Sequence, residues 1–330
     1  MSYAAGMLIS FGIFSTILLA IGFSPILSFQ SIFYGAFGSL YSAAETFVRV
    51  PPLLLSALAF LVGVKSRFFN IGVEGQLYMG GLATYLAASQ LNGWPSALAL
   101  LLVTLAAFLG GTAWLAIPLV MRVRLRVNEI FPTIVMNFIA IFIIAWLTTG
   151  PIKDPGAPNP QTPTVPPETW LPILVPGTRF HLGIFIALLM ALLIFLILYK
   201  TVLGYEIRAT GLNPRAAQHG GVNLSRSLVS VGLLSGGLAG LAGMMEVVGG
   251  SHMLAQGFSP GFGYQGIGIA ALAAFHPIGA ILASTLFSIL IIGGETMQRG
   301  AGVPIEMAYV LQATIVISVL VVQRLVSERR

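Results

Sequence analysis

The chain contains no cysteine, and only 8% of its 330 residues are charged. The absence of cysteine excludes disulfide frameworks, thiolate metal sites and cysteine nucleophiles. Soluble domains carry roughly 25% charged residues, so the polar surface here is too small to cover a water-soluble fold of this length. Apolar residues make up 57% of the chain, and runs of about 20 of them recur along it. The sequence therefore predicts an all-α polytopic membrane protein with a single transmembrane domain over residues 1–330.

The motifs of ATP hydrolysis and zinc catalysis are missing as well. The sequence has no Gly-x-x-x-x-Gly-Lys-Ser/Thr loop and no His-Glu-x-x-His pair. We therefore expect no enzyme, no metal site and no cofactor in this chain, and any ATP and magnesium would bind on a partner ATPase. The net charge of +6 comes from cations in short loops between apolar runs, which topology explains. Nucleic acid is therefore not an expected partner, whereas membrane lipid is.

Ten apolar runs are candidate membrane spans. Runs 50–64 and 264–276 are short for a straight crossing, and either could be a broken or re-entrant helix. Residues 29–49 are compatible with an external loop, a surface helix or a further part-span. The ten runs cover residues 6–28, 50–64, 71–91, 96–120, 130–149, 181–199, 228–249, 264–276, 278–294 and 306–323.

The positions of lysine and arginine predict the orientation. When ten spans are threaded, twelve of the sixteen cations lie on one side. The positive-inside rule places that side, and with it both termini, in the cytoplasm. Residues 150–180, with nine prolines, would then form an extended external loop. This loop is either a passive connector or a docking surface for an extracytoplasmic partner.

The loop of residues 200–227 is the long cytoplasmic connection. We expect Gly204 to break the preceding helix and Asn213-Pro214 to begin a short new one. That helix would stop at Gly220-Gly221. Such a rigid projection would be a handle that another protein can push, although a basic loop that only sets topology explains the charges equally well.

Glycine spacing predicts close helix packing in one span. Gly232, Gly236 and Gly240 recur every four residues and form a stripe of small residues on one helix face. Packing is the simpler interpretation of this stripe than substrate contact. Separately, Trp94-Pro95 and His276-Pro277 each precede a span with a Gly-Gly pair, on opposite sides of the membrane, as an inverted repeat would require.

Five polar residues inside apolar spans are candidates for a substrate pathway, because polar groups are costly there. They are Asn70, Glu74, Gln76, Asn137 and Glu246. For Glu74 two interpretations remain open. Its carboxylate could accept hydrogen bonds from a polar solute, or it could cap a helix start near the membrane surface.

Five stretches, in order, resemble the permease subunits of nucleoside and simple-sugar ABC importers, within the group that includes branched-chain amino acid and ribose permeases. The resemblance covers nearly the whole chain, and the form Asn-Ile-Gly-Val-Glu-Gly-Gln looks more like the nucleoside branch than the ribose branch. The stretches are residues 69–76; 127–130 with 136–137; 204–209 with 211–213; 235–243; and 261–267.

This resemblance implies a half-transporter. Two permease chains, identical or homologous, would form the pathway above two cytoplasmic ABC ATPases, and an extracytoplasmic binding protein would deliver a nucleoside or sugar. The family's ATPase-coupling loop corresponds here to Gly204, Arg208, Gly211, Asn213, Pro214, Ala216, Ala217 and Gly220.

Two other classes of function remain compatible with the composition. An autonomous proton- or sodium-coupled secondary transporter would use Glu74 or Glu246 as its coupling site. A channel or structural membrane subunit would need no energy source. The loop of residues 204–221 distinguishes them, since only the importer needs it to dock an ATPase.

Overall fold

The computed structural model describes residues 2–328, and this part of the chain is helical throughout its membrane core. The helices are α1 (Ser2–Ala20), α2 (Pro25–Phe37), α3 (Leu40–Lys65), α4 (Val73–Ala88), α5 (Ser96–Leu125), α6 (Ile130–Thr149), α7 (Gly183–Lys200), α8 (Val202–Leu212), α9 (Pro214–His219), α10 (Leu224–Met244), α11 (Phe262–Leu272), α12 (Pro277–Ala301) and α13 (Glu306–Glu328). A 3-10 turn spans Pro167–Thr169, and a π-helical segment, Met245–Ser251, continues α10.

Eight of these helices are long and apolar enough to cross a membrane: α1, α3, α5, α6, α7, α10 with its π-helical segment, α12 and α13. The other two of the ten predicted spans correspond to α4, with 16 residues, and α11, with 11. Both are shorter than the roughly 20 residues that a straight crossing needs. The short run at 264–276 is thus a short helix, as its length indicated.

The expectation of a broken helix at 50–64 is wrong, because this run is the second half of the 26-residue α3. Pro51 and Pro52 lie inside that helix, and Glu45 and Arg49 precede them. The first half of α3 was not recognised from the sequence because of these residues, since proline removes backbone donors and charged residues interrupt an apolar run. Every residue from 50 to 63 is buried, so α3 lies at the centre of the bundle.

The first predicted span, 6–28, is also divided. Helix α1 ends at Ala20, and the chain turns at Gly22, whose φ of +85° favours glycine. Helix α2 then begins at Pro25 and ends before Gly38. It packs on α12, where Gly35 faces Thr296 and Gly293. Residues 29–49 therefore form most of α2 and the first turns of α3.

The glycine stripe of α10 lies where this helix meets its neighbours. A Cβ at Gly240 would clash with the carbonyl oxygen of Ala107 in α5, and one at Gly236 would lie 2.8 Å from the Cα of Thr112. Gly232 faces the side chain of Leu119. Helix α10 thus approaches α5 at backbone distance, which only glycine permits along this line.

The packing of the central helices is consistent with an inverted repeat. Helix α3 packs on α10, α11 and α12, while α10 packs on α3, α4 and α5. If α3, α4 and α5 are exchanged with α10, α11 and α12, respectively, the same pairs of helices are in contact. The Gly-Gly pairs do not occupy equivalent positions, because Gly110-Gly111 face α4 and α10 whereas Gly293-Gly294 face α2 and α13.

The proline-rich segment is extended, in keeping with its composition. Its backbone amides donate to the chain after α10: Thr162 to Leu254 (3.0 Å) and Val165 to His252 (2.8 Å). The Trp170 ring stacks on His252, with 3.9 Å between ring centroids. We call the end of the bundle that carries residues 150–182 the proline-rich end, and the end that carries α8 and α9 the α8–α9 end.

Candidate functional site

Asn70 and Gln76 form a closed pair at the connection between α3 and α4. Asn70 Nδ2 donates to Gln76 Oε1, and Gln76 Nε2 donates to Asn70 Oδ1, both over 2.8 Å. Asn70 also donates to Ser235 Oγ of α10, and Ser235 donates to the carbonyl of Ala59 in α3. Both amide side chains are buried. Their polar atoms are largely engaged with each other and with α3 and α10, so they join these helices rather than face a pathway.

Glu74 caps a helix, but the helix is α11 and not its own α4. Its Oε2 accepts a hydrogen bond of 2.6 Å from the Gly263 amide in the first turn of α11, and the side chain is only 2% exposed. Ser259 Oγ accepts from the amide of Phe262 (3.2 Å). Helix α11 begins inside the protein, where water cannot satisfy its first amides, and a carboxylate there also complements the helix dipole.

Asn137 joins three helices. Its Oδ1 accepts from the Gly75 amide of α4 (2.8 Å), and its Nδ2 donates to the Ile71 carbonyl (2.9 Å) and to the Tyr264 hydroxyl of α11 (3.2 Å). The structure thus brings four of the five predicted pathway residues together inside the protein. We call this cluster of Asn70, Glu74, Gln76 and Asn137 the buried joint. The fifth, Glu246, lies elsewhere, in the π-helical segment.

A charged cavity of about 250 Å³ lies at the proline-rich end, between α2, α3, α12 and the segment before α7. Tyr41, Ser42 and Thr296 add hydroxyls to its wall. Its charged lining residues are Glu45, Arg49, Arg179, Glu295 and Arg299. None of these five was a predicted pathway residue, because the charges on this side were attributed to membrane topology. The near-balance of positive and negative charges was the one sequence signal from which this site could have been predicted.

Ion pairs organise this cavity. Arg179 Nε donates to Glu45 Oε1 over 2.9 Å, and its Nη2 pairs with the other oxygen, which is the bidentate geometry that arginine favours. The bond to Glu45 is the main cause that raises the pKa of Arg179. Arg49 Nη1 lies 3.6 Å from Glu246 Oε2, and its guanidinium lies over the Phe262 ring. Glu246 therefore does not line the cavity itself but pairs with Arg49, which does.

His181 supports the wall of the proline-rich end as a neutral ring. It is buried, and its Nδ1 accepts from the Gly183 amide (3.1 Å). Burial, with smaller contributions from His252 and Arg179, lowers the pKa of His181 to about 4. The π-helical segment packs on the same ring at Gly249.

At the α8–α9 end, the expectation that Gly204 breaks the helix is wrong. Helix α7 ends at Lys200, and Thr201 caps α8 by accepting from the Gly204 amide (3.1 Å). Gly204 lies in the first turn of α8, where a Cβ would clash with the carbonyl of Ile197. Glycine is present here because α8 folds back against the end of α7.

The predicted short helix is present as α9. Asn213 Oδ1 accepts from the amides of Arg215 (3.1 Å) and Ala216 (3.2 Å), and Pro214 occupies the first turn. The helix ends at His219, before Gly220 and Gly221. Ala217 is buried, so only Ala216 of the two alanines faces outwards.

Helix α8 is attached to the central helix of the bundle. A Cβ at Gly211 would clash with the carbonyl oxygen of Lys65, the last residue of α3. A groove of about 350 Å³ separates α8 from α9 and is lined by Arg208, Leu212 and Asn213 among others. Since α3 also carries Glu45 and Arg49, one helix connects α8 to the charged cavity.

The chain was compared with known proteins. A family model described as the permease component of branched-chain amino acid transport systems matches residues 42–320. A guanosine ABC transporter permease of Bacillus subtilis is 33% identical over 92% of this chain and 88% of its own length. A nucleoside ABC transporter permease of Lactococcus lactis is 31% identical (91% and 85%), and a glucose ABC transporter permease of Haloferax volcanii is also 31% identical (91% and 81%). No solved structure matches the chain.

The family match covers the buried joint, the α8–α9 groove and the five charged residues of the cavity. The matches confirm the resemblance based on the five stretches, and they support an importer subunit over an autonomous secondary transporter. In this family the ATPase activity resides in separate subunits, so the chain is not itself an enzyme. The chain belongs to the family of branched-chain amino acid transport permease components and is a multi-pass membrane permease subunit of an ABC importer.

Proposed function

We propose that this chain forms half of the membrane pathway of a nucleoside importer. The proline-rich end faces outwards and receives solute from an extracytoplasmic binding protein. The charged cavity is the first solute-binding site on the transport pathway. The α8–α9 end and both termini face the cytoplasm, where the groove docks an ABC ATPase that binds ATP and magnesium. A second permease chain, identical or homologous, completes the pathway.

The charged cavity supports a neutral, hydroxyl-rich solute. It combines three arginines with two glutamates and several hydroxyls, so it offers donors and acceptors and carries charges of both signs in nearly equal number. A nucleoside or a sugar can use both kinds of group, whereas a charged solute would meet repulsion from one set. The guanosine and nucleoside permeases among the relatives favour the nucleoside, and the glucose permease keeps a simple sugar as the second candidate.

One observation carries the mechanism: α3 extends from the charged cavity to α8, which forms one wall of the α8–α9 groove. Glu45 and Arg49 lie in its first half, and its last residue, Lys65, contacts α8 at Gly211. Movement of a docked ATPase would shift α8 and α9 and, through this backbone contact, α3. Pro51 and Pro52 interrupt the hydrogen bonds of α3 between the two sites, which gives the helix a place to bend.

Uptake measurements test the function. Labelled uridine and adenosine, with ribose as competitor, are presented to cells with and without this chain, and ATP depletion and proton-gradient collapse are applied separately. We expect uptake that requires the chain, ignores ribose and falls with ATP alone. Uptake that disappears with the gradient while ATP persists would contradict the ATP-driven importer, and competition by ribose would favour the sugar.

A variant of the charged cavity tests whether the cavity binds solute. Glu295→Gln removes a lining charge, and Glu295 has no ion pair within residues 2–328. We expect a several-fold higher solute concentration for half-maximal uptake at an unchanged amount of protein. Glu306→Gln, at an exposed glutamate outside the cavity, is the matched control. Equal kinetics in both variants would remove the cavity from the path.

A further inference from the structure

Lys65 and Arg208 form a cationic pair that has no counter-ion in the described part of the chain. They line one cavity of about 300 Å³ together with Val64, Gly211 and Phe275. The ion pairs found among residues 2–328 are Arg49 with Glu246, Arg122 with Glu129 and Arg179 with Glu45. No described carboxylate therefore lies within 4 Å of either cation.

The guanidinium of Arg208 is held in place and left unsatisfied. It lies over the Tyr199 ring, 5.1 Å from the ring centroid, and its Nη1 is buried without a hydrogen-bond partner. A buried donor of a charged group that lacks an acceptor is unfavourable. This unpartnered donor lies beside a second positive charge, Lys65, in one cavity, so the cavity favours an anion over a cation.

This cationic cavity is adjacent to the α8–α9 groove. Arg208 and Leu212 line both. Leu212 is 79% exposed and Tyr205 is 61% exposed, so apolar surface borders the two charges on the groove side. An occupant that fills the groove and reaches the charges needs apolar side chains and a carboxylate on one rigid element, which a protein segment provides.

We propose that the ATPase subunit docks here with an aspartate or glutamate that pairs with Lys65 and Arg208, while its apolar side chains pack on Leu212 and Tyr205. This inference rests on the proposed function, since it assigns the chemistry of the partner surface at the docking groove. Because Lys65 is the last residue of α3, the carboxylate contacts the central helix directly as well as α8.

Carbodiimide cross-linking of the assembled transporter tests the contact. The reagent joins a lysine amine to a carboxylate at zero length, and the chain has lysine only at positions 65, 153 and 200. We expect mass spectrometry to find Lys65 linked to an acidic residue of the ATPase. Lys65→Arg keeps the charge but must abolish that link, while the exposed Lys200 reports on non-specific reaction.

Charge variants test its contribution. In purified complexes, we expect Arg208→Gln to raise the dissociation constant of the ATPase at least tenfold, with partial rescue by Arg208→Lys. Arg226→Gln is the matched control, since Arg226 is exposed at the same end and lines neither cavity. The dissociation constants are measured in nanodiscs with and without anionic lipid.

The outcomes separate the two proposals. If no ATPase associates with the unmodified chain, the proposed function fails. If the ATPase binds but Arg208→Gln behaves as Arg226→Gln and Lys65 forms no link, the docking function stands and the carboxylate contact is wrong. If Arg208→Gln weakens binding only when anionic lipid is present, the cations hold a lipid phosphate, which also overturns this inference.

Discussion

The charged cavity and the cationic cavity, at opposite ends of the molecule, differ in how their arginines are paired. At the proline-rich end, Arg179 pairs with Glu45 and Arg49 pairs with Glu246, so the chain supplies both members of each pair. At the α8–α9 end, Arg208 has no carboxylate within the described residues and a buried guanidinium hydrogen without an acceptor. Both cavities have arginine on or beside α3, yet only the charged cavity also has carboxylates that pair with it.

We infer from this difference that the paired charges stabilise the fold and that the unpaired cations bind a partner. Removing one member of an internal pair leaves the other charge uncompensated, so it lowers the stability of the chain itself. Removing Arg208 breaks no ion pair of the chain and can relieve repulsion from Lys65, so its main effect should appear in partner binding. Four predictions follow this contrast, in order of decreasing effect.

Gly211→Val should abolish ATP-driven uptake. The added side chain would collide with the carbonyl of Lys65 and separate α8 from α3. Uptake and the amount of membrane-inserted chain are measured together. Gly12→Ala is the control, because a Cβ at Gly12 meets no atom within 4 Å. Normal uptake by Gly211→Val would mean that this contact does not transmit the motion.

Acid should destabilise the proline-rich end. The pKa of His181 is about 4 in the folded protein and 6.5 in the unfolded chain, so the unfolded state binds the extra proton between these values. The free energy of unfolding should therefore fall as the pH drops from 7 to 4, by up to about 3 kcal/mol. Hydrogen exchange of residues 160–182 across this range reports the loss. His181→Gln should flatten the profile and His219→Gln, at the opposite end, should not.

Glu45→Gln should lower stability by about 1–2 kcal/mol, a value below that of a fully buried pair because Arg179 is half exposed. Thermal unfolding in detergent measures it. A double-mutant cycle with Arg179→Met isolates the pair, since the second substitution removes the charge left behind. Arg208→Gln, measured alone, should leave the unfolding temperature within experimental error; an equal loss in both variants would erase the contrast between the ends.

Glu246→Gln should have the smallest effect, a reduction of uptake by a few fold. The amide can still accept a hydrogen bond from Arg49, but the charge that orients this arginine at the cavity is gone. The ratio of initial uptake rates at equal protein amounts measures the effect. Unchanged kinetics would assign Glu246 to the packing of the π-helical segment alone.

Local patterns were sufficient where the chain alone defines the structure. Asn213-Pro214 and the following glycines predicted α9, because capping and turn formation depend on adjacent residues. The same reasoning misplaced the end of α7 at Gly204. That glycine is required by the approach of α8 to Ile197, a contact that nothing in the local sequence indicates.

Polar residues in apolar spans were found from the sequence, but their partners were not. Glu74 was expected to interact with solute or to cap a nearby helix start, and it instead meets Gly263, 189 positions away. The sequence shows that such a group must be satisfied, because an unpaired polar group in a membrane interior is costly. It does not show which helix brings the partner.

The sequence by itself determined the membrane class, the approximate number of spans, the extended proline-rich segment and the family of this protein, since these follow from composition, run length and local motifs. Only the tertiary structure decided that α3 is one central helix, that four candidate pathway residues form a buried joint, and that Arg49 and Arg179 are paired within the chain while Arg208 is not. The physical reason is range: hydropathy and capping act between neighbours in sequence, whereas ion pairing and backbone contact depend on which helices the packing brings together.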